Sequence, residues 1–370
     1  MPRFLLISLL MTFTLTMVAQ QNFINSYGFH GYNEGIDILS HTNGYLVAGN
    51  SSGQSGQSQT YLAKINKQGE TLWDLSFFKT SITTIQQVKL FSPDSIVLVG
   101  SRHASANDEY EYFVSLADSS GNTYWEKSFG GEGWQQISSV HLKKDKIILG
   151  GQTLIDSVGY YQPAIIQINA SGTIISVEQL VSSSAKKIHS IDMIGDSVIL
   201  AAGYQVNPAD SQKNGCFLLL DTNLNVITDS VLTDTVENEL FFARWKHPFI
   251  VAGGYQITDQ KAKQNWHIML NPFSPNQRSF LGGGLNDDVF TDMAITRHDK
   301  FYFTGFTNSF GGGKKDVLIS IHDQNGYWKD SYTIGELEDE TGNSIITDDS
   351  NRVIICGTTY SWGPDFSNIF

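Results

Sequence analysis

The chain has 370 residues, with 24 Lys and Arg against 37 Asp and Glu, for a net charge of −13. So acidic a chain repels phosphate backbones, which argues against nucleic acid as a partner. Its two cysteines, Cys216 and Cys356, allow one disulfide at most; they fall in distant units of the repeat described below and are expected to be two buried thiols.

Arg3 precedes an apolar run from Phe4 to Val18 that closes on the small residue Ala19. This pattern predicts a secretory signal peptide over residues 1–19. No later stretch approaches about 18 consecutive apolar residues, so no transmembrane segment is expected in the mature chain. Residues 21–29 then align with Thr123–Gly131, the last apolar run of a later unit.

From there a short apolar run ending in glycine recurs, as in Tyr45–Gly49, Ile96–Gly100 and Val353–Gly357. The glycines fall at 49, 100, 150, 203, 253, 305 and 357. A second run follows after a polar loop (Tyr61–Asn66, Ala164–Asn169, Cys216–Asp221), most copies ending near Asn, Asp or Gly, residues that stop strands in tight turns. A third follows, as in Thr71–Phe77, and a fourth, such as Thr291–Ile295, precedes each glycine run. Four short strands per unit of about 51 residues, seven times over, predict an all-β seven-bladed β-propeller with four-stranded blades across residues 20–370. Parallel β-helix rungs are much shorter, a sandwich has no reason to repeat seven times, and amphipathic helix patterns are nearly absent.

The ends predict how the ring closes. The seventh unit lacks a fourth strand, and residues 21–29 form a fourth strand with no earlier unit to complete. Pairing the two removes two open edges, so the last blade is expected to be closed by the N-terminal strand. After Gly357 the third strand is expected near position 373, so this strand reads as cut short at Phe370.

Little in the sequence carries chemistry. Gly49-Asn50-Ser51-Ser52-Gly53 matches G-x-S-x-G, but a polar loop follows it where a nucleophile elbow needs a helix. No catalytic residue, metal site or cofactor site is assigned. Asn286-Asp287-Asp288 and Glu338-Asp339-Glu340 occupy equivalent points before the inner strand and read as turns with a strand-entry hydrogen bond, not as calcium loops. The loops after the glycines should share one face with the inter-blade linkers. They carry Tyr32, Trp134, Tyr160, Tyr161, Tyr204, Tyr255, Phe310 and Trp362, candidates for contact with a protein or glycan.

The stretches Gly282–Asp288 with Phe301–Thr307, and Gly335–Ile346 with Cys356–Thr359, resemble bacterial β-propeller repeats of the SBBP type. The mature chain is similar to secreted propellers of Bacteroidota, many of which leave the cell by the type IX secretion system; export by that route is what the resemblance implies. Lys64–Trp73 also resembles the tryptophan-bearing repeat of quinoprotein dehydrogenases and outer-membrane assembly propellers. That resemblance implies a blade-docking role for Trp73, Trp125 and Trp328, and no quinone. The expected function is an exported, non-enzymatic scaffold that binds a protein or glycan at the cell surface. The alternatives are a polysaccharide-acting enzyme with carboxylates at the central channel, or an accessory subunit of an outer-membrane assembly.

Overall fold

A computed structural model of the chain describes residues 23–52, 58–77, 82–104, 109–131, 133–155, 159–232, 236–258, 262–274 and 277–370. The expected signal peptide lies outside the described residues, as does Gly53 of the G-x-S-x-G match.

Turn chemistry cuts the chain into strands. In the first unit the strands are Asn33–His41, Gly44–Ser51, Gln59–Asn66 and Thr71–Phe77, paired in sequence order and all antiparallel. Between the third and fourth, the Asn66 side chain accepts from the backbone N–H groups of Gln68 and Glu70, and Gly69 takes a φ of 83°. Asp118, Asn169, Asp221 and Asp323 build the same turn in later units. A short side-chain acceptor that folds back on its own backbone is why Asn and Asp end these strands.

The sheet repeats over 83–129, 134–179, 186–231, 238–282 and 288–334. The seventh sheet holds Glu340–Thr347, Val353–Thr359 and the two-residue strand Asn368–Ile369. Tyr27 completes it, pairing antiparallel with Ile369 through backbone bonds of 2.6 and 2.9 Å. The alignment of residues 21–29 with Thr123–Gly131 puts Tyr27 at the place of Phe129, which pairs with Tyr112 in the second sheet. The Tyr27 hydroxyl also donates to the Gly69 carbonyl at 2.6 Å, tying the seam to the first sheet. Seven four-stranded sheets stand in a ring, and the molecule is a seven-bladed β-propeller. We number the blades in chain order and their strands 1 to 4 from the centre outward.

The apolar core lies between neighbouring blades. Val97, Val99 and Val114 of blade 2, for example, pack with Ile137, Leu149 and Ile166 of blade 3. Cys216 of blade 4 and Cys356 of blade 7 are buried free thiols. Burial pushes the Cys216 thiol up to about 12, which keeps it protonated and unreactive.

Every strand 1 carries a β-bulge at the same point. The extra residue is Ile36, Gln86, Ser138, His189, Phe241, Thr291 or Asn343. Opposite each bulge stands a glycine of strand 2: Gly49, Gly100, Gly151, Gly203, Gly254, Gly305 or Gly357. A Cβ on any of the seven would fall inside 3.0 Å of a strand 1 carbonyl oxygen, so no larger residue fits. Register therefore corrects the sequence reading in two blades. The repeating glycine is Gly151, not Gly150, and Gly254, not Gly253. The Cβ of Gly150 or Gly253 would press first on the side chain of Ile191 or Phe242.

Strand 1 pairs on one side only, and the N–H two residues past each bulge needs another partner. Side chains of the preceding blade supply it. Asp37 accepts from Val88 (3.0 Å), Gln87 from Val140 (2.8 Å), Ser139 from Ile191 (3.0 Å), Ser190 from Ala243 (3.2 Å) and Asp292 from Ile345 (3.1 Å). Blade 5 has Phe242 at this position, packed against Phe303, and Asp292 accepts from its own neighbour Met293. At the closing seam Ser344 donates to Asp37 (2.6 Å), and Asp37 accepts from Ile38 (2.9 Å). This polar belt runs around the inner ring.

Trp73 and Trp125 stand opposite Lys64 and Leu116 and pack against the cores between blades 1 and 2 and between blades 2 and 3. Trp125 also donates to the Ala170 carbonyl in a turn of blade 3 (2.9 Å). Trp328 departs from the docking expectation. It pairs with His322, at the register held by Thr71 and Thr123; Asp330 occupies the place of the other two tryptophans. Its ring is 61% exposed.

Gly305→Ala is expected to destabilise the fold by about 2–3 kcal/mol, because the added methyl meets backbone that cannot give way. Gly131→Ala, where nothing lies within 4 Å of the new carbon, should change stability by less than about 1 kcal/mol. Urea unfolding of the two variants checks the contrast.

Candidate functional site on the loop face

In a four-stranded meander, the loop after strand 2 and the linker after strand 4 leave the sheet at the same end. Buried polar residues clasp that end. Asn33, Thr83, Gln135, Lys186, Asn238, Asp288 and Glu340, at the starts of the seven innermost strands, are all nearly inaccessible. Asp288 accepts from the Gly284 N–H (2.7 Å), from Ser309 Oγ (2.7 Å) and from Thr307. Glu340 accepts from the N–H groups of Glu336 (3.0 Å) and Ser361 (3.1 Å) and from Thr359 Oγ1 (3.0 Å). The last carboxylate of each acidic cluster thus spends both oxygens on the linker and on the loop after strand 2, as strand-entry hydrogen bonds require.

Two arcs of this face differ in character. On blades 3 to 5 a charged and aromatic wall forms around Glu239, which is 4% exposed. Its carboxylate accepts from Lys213 Nζ (2.7 Å) and the Tyr255 hydroxyl (3.0 Å), and His189 Nε2 lies 2.9 Å away. Burial alone pushes this carboxyl up; the hydrogen bonds and charges of His189 and Lys213 outweigh it and hold the group at about 2. Lysine ammoniums cap the neighbouring rings: Lys187 over Tyr161 (3.8 Å), Lys213 over Tyr204 (4.5 Å) and Lys263 over Tyr255 (4.3 Å). The last two pairs recur as Lys315 over Phe306 in blade 6.

The other arc spans blades 6, 7 and 1 and is apolar and exposed. Leu285 and Leu337 project from equivalent linkers at 76% and 77% exposure. Phe310 and Tyr360, in the loops after strand 2 of blades 6 and 7, are about half exposed. Phe366 is 71% exposed and stacks on Tyr32 (5.1 Å, 17°), which leads into blade 1.

The expected aromatics divide between these arcs and the chain's own packing. Tyr161, Tyr204 and Tyr255 come together in the charged wall, where Tyr204 and Tyr255 are buried. Tyr32 and Phe310 belong to the exposed arc. Trp134 lies against Tyr110 (4.7 Å) but stays about half exposed outside both arcs, Trp362 meets Phe370 edge-on (5.7 Å), and the Tyr160 hydroxyl reaches the Ser182 carbonyl (3.4 Å). Sequence reading passed over Leu285, Leu337, Tyr360 and Phe366. A signal existed for the leucines, as lone aliphatics three residues before Asp288 and Glu340 in otherwise polar linkers.

Three carboxylates of the innermost strands are engaged. Asp37 serves the belt, Asp192 holds His141 (3.2 Å) and the Trp245 N–H (2.7 Å), and Asp292 pairs with Arg244 (3.0 Å). Among the described residues no group of three or more His, Cys, Asp and Glu is placed to hold a metal ion.

No protein-family model matches the chain, and no curated protein does. Several solved structures are similar. The WD40 β-propeller domain of Doa1 is 11% identical, covering 93% of this chain and 94% of that one at a TM-score of 0.53. The β-propeller domain of the Trilobed protease from Pyrococcus furiosus, described as having an open velcro topology, is 13% identical over the same shares, with a TM-score of 0.54. A putative 6-phosphogluconolactonase from Bacteroides uniformis is 10% identical, covering 88% of each chain at 0.53. At these identities the likeness concerns the fold.

Because the Glu239 carboxyl sits below its ordinary 4.5, its stabilising effect is complete above that pH and is lost as pH falls through about 2. At about 1.4 kcal/mol per pH unit, the loss amounts to no more than about 4 kcal/mol. Glu239→Gln should lower stability at pH 7 and flatten this acid limb, as followed by urea unfolding from pH 7 to 2.

Proposed function

We propose that the protein is an exported, non-enzymatic binding platform whose loop face engages a protein partner through the arc of blades 6, 7 and 1. The observation that carries this reading is the run of large apolar side chains left in solvent on three adjacent blades. Leu285, Phe310, Leu337, Tyr360, Phe366 and Tyr32 are each about half exposed or more. Grouped apolar exposure of this kind marks a surface meant to be covered, and its part-aromatic character, with exposed charges such as the Lys314–Glu338 pair set among the apolar side chains, suits a protein face. Export rests on the signal-peptide pattern of residues 1–19. An accessory role at the outer membrane is one form of the same reading. The enzyme alternative draws less support, because Asp37, Asp192 and Asp292 at the channel are each bound to backbone N–H groups or to a cation.

A photo-crosslinking residue at Leu337, introduced in the native cells, is expected to give a discrete adduct of higher mass. The same residue at Asp349, fully exposed in a turn at the opposite end of blade 7, should give none. Leu285→Asp should abolish the Leu337 adduct. Recovery of monomer alone from both positions, or equal adducts from both, would overturn the proposal.

A further inference from the structure

Neighbouring blades diverge outward, so a wedge opens between their outer strands. Trp73 and Trp125 fill it between blades 1 and 2 and between blades 2 and 3. In blade 5 register puts Arg278 at that place, opposite Met269, and its guanidinium turns to the Asn325 carbonyl (3.3 Å). The wedge between blades 5 and 6 is left open as a cleft of about 830 Å³, within the range of small-ligand sites.

The floor is a packed, hydrogen-bonded aromatic cluster. His267 stacks on Phe280 (4.7 Å, 11°) and meets His322 edge-on (4.6 Å). Both imidazoles converge on the Gly326 carbonyl, at 3.2 and 3.0 Å, and Ser320 Oγ bonds His322 Nε2 at 2.8 Å. Burial lowers both rings, His267 to about 3, so neither carries charge at neutral pH. Trp328, Tyr327 and Phe310 stand exposed on the walls, beside the hydroxyls of Ser331 and Thr333 and the Asn265 amide. Among the described residues no Asp, Glu, Lys or Arg lines the cleft, in a chain that is 16% charged.

We propose that this wedge binds a neutral saccharide. Flat aromatic walls receive the C–H faces of sugar rings, and the hydroxyls and amide exchange hydrogen bonds with sugar hydroxyls. An ionic ligand finds no counter-charge here, and a purely apolar one strands the wall hydroxyls without partners. The site borders the apolar arc at Phe310, which belongs to both, but the saccharide assignment does not rest on the protein-binding reading.

Calorimetric titration of the full chain with neutral cello-, malto-, xylo- and manno-oligosaccharides, and with acidic oligogalacturonides, tests the assignment. One neutral class is expected to bind and the acidic series not. Trp328→Ala, at an exposed ring, should keep the native circular dichroism and weaken binding at least about tenfold. Ser331→Trp, which fills the cleft, should abolish binding, and Leu337→Asp should leave it unchanged. Four outcomes would each overturn the proposal: no neutral class binds; Trp328→Ala and Ser331→Trp bind as the wild type does; the acidic series binds equally well; or an unstructured peptide pool binds in place of sugars in a Trp328-dependent way.

Discussion

The constraint on which the molecule depends is the open inner edge of strand 1. Seven such edges line the central channel, and a bulge in each leaves a backbone N–H that no strand can pair. An unpartnered buried N–H costs about 1–3 kcal/mol, so seven would consume a large part of a domain's net stability. The belt from Asp37 to Ser344 answers five of them across blade boundaries and two from within the strand. Each cross-blade bond also sets the spacing of two sheets. Hydrogen bonding thus specifies the ring, and the apolar clusters between blades supply the bulk of the burial.

That arrangement bears on chemistry. Asp37 and Asp292 face the channel, where a propeller enzyme would keep its reactive carboxylates, yet both are committed to backbone donors of the next blade. Desolvation raises Asp292 despite the Arg244 charge beside it, as expected of a carboxyl held for structure in a dry site. Large side chains open to other molecules lie instead on the loop face, on the apolar arc of blades 6, 7 and 1, and in the wedge that Arg278 leaves open.

Much of the fold was legible in the sequence, for a physical reason. Glycine opposite the bulge is a steric requirement imposed once per blade, so it recurs at the blade period. Counting it yields the number of blades, and the leftover run at residues 21–29 yields the closure that Tyr27 makes. The reading slipped by one residue at Gly150 and Gly253 because each has a glycine neighbour, and only pairing register tells which one faces the carbonyl. It slipped by two at Trp328, although the sequence carries the signal: Trp328 follows its turn glycine, Gly326, by two residues, where Trp73 and Trp125 follow Gly69 and Gly121 by four. The acidic clusters were legible as strand entries, since each repeats at a fixed distance before the bulge.

The candidate surfaces were less legible. Loop aromatics can be counted from sequence, but Tyr204 and Tyr255 are buried under Lys213 and Lys263 while Tyr32 lies open, and nothing local separates them. The sequence by itself determined the strands, the period, the sevenfold count and the closing of the ring, because each follows from contacts within a unit or from spacing between units. The tertiary structure decided which carboxylates are spent on the belt, which apolar side chains stay in solvent and which wedge stays open. Those outcomes depend on what the next blade presents, and residues about 50 positions apart meet only when the sheets stand side by side.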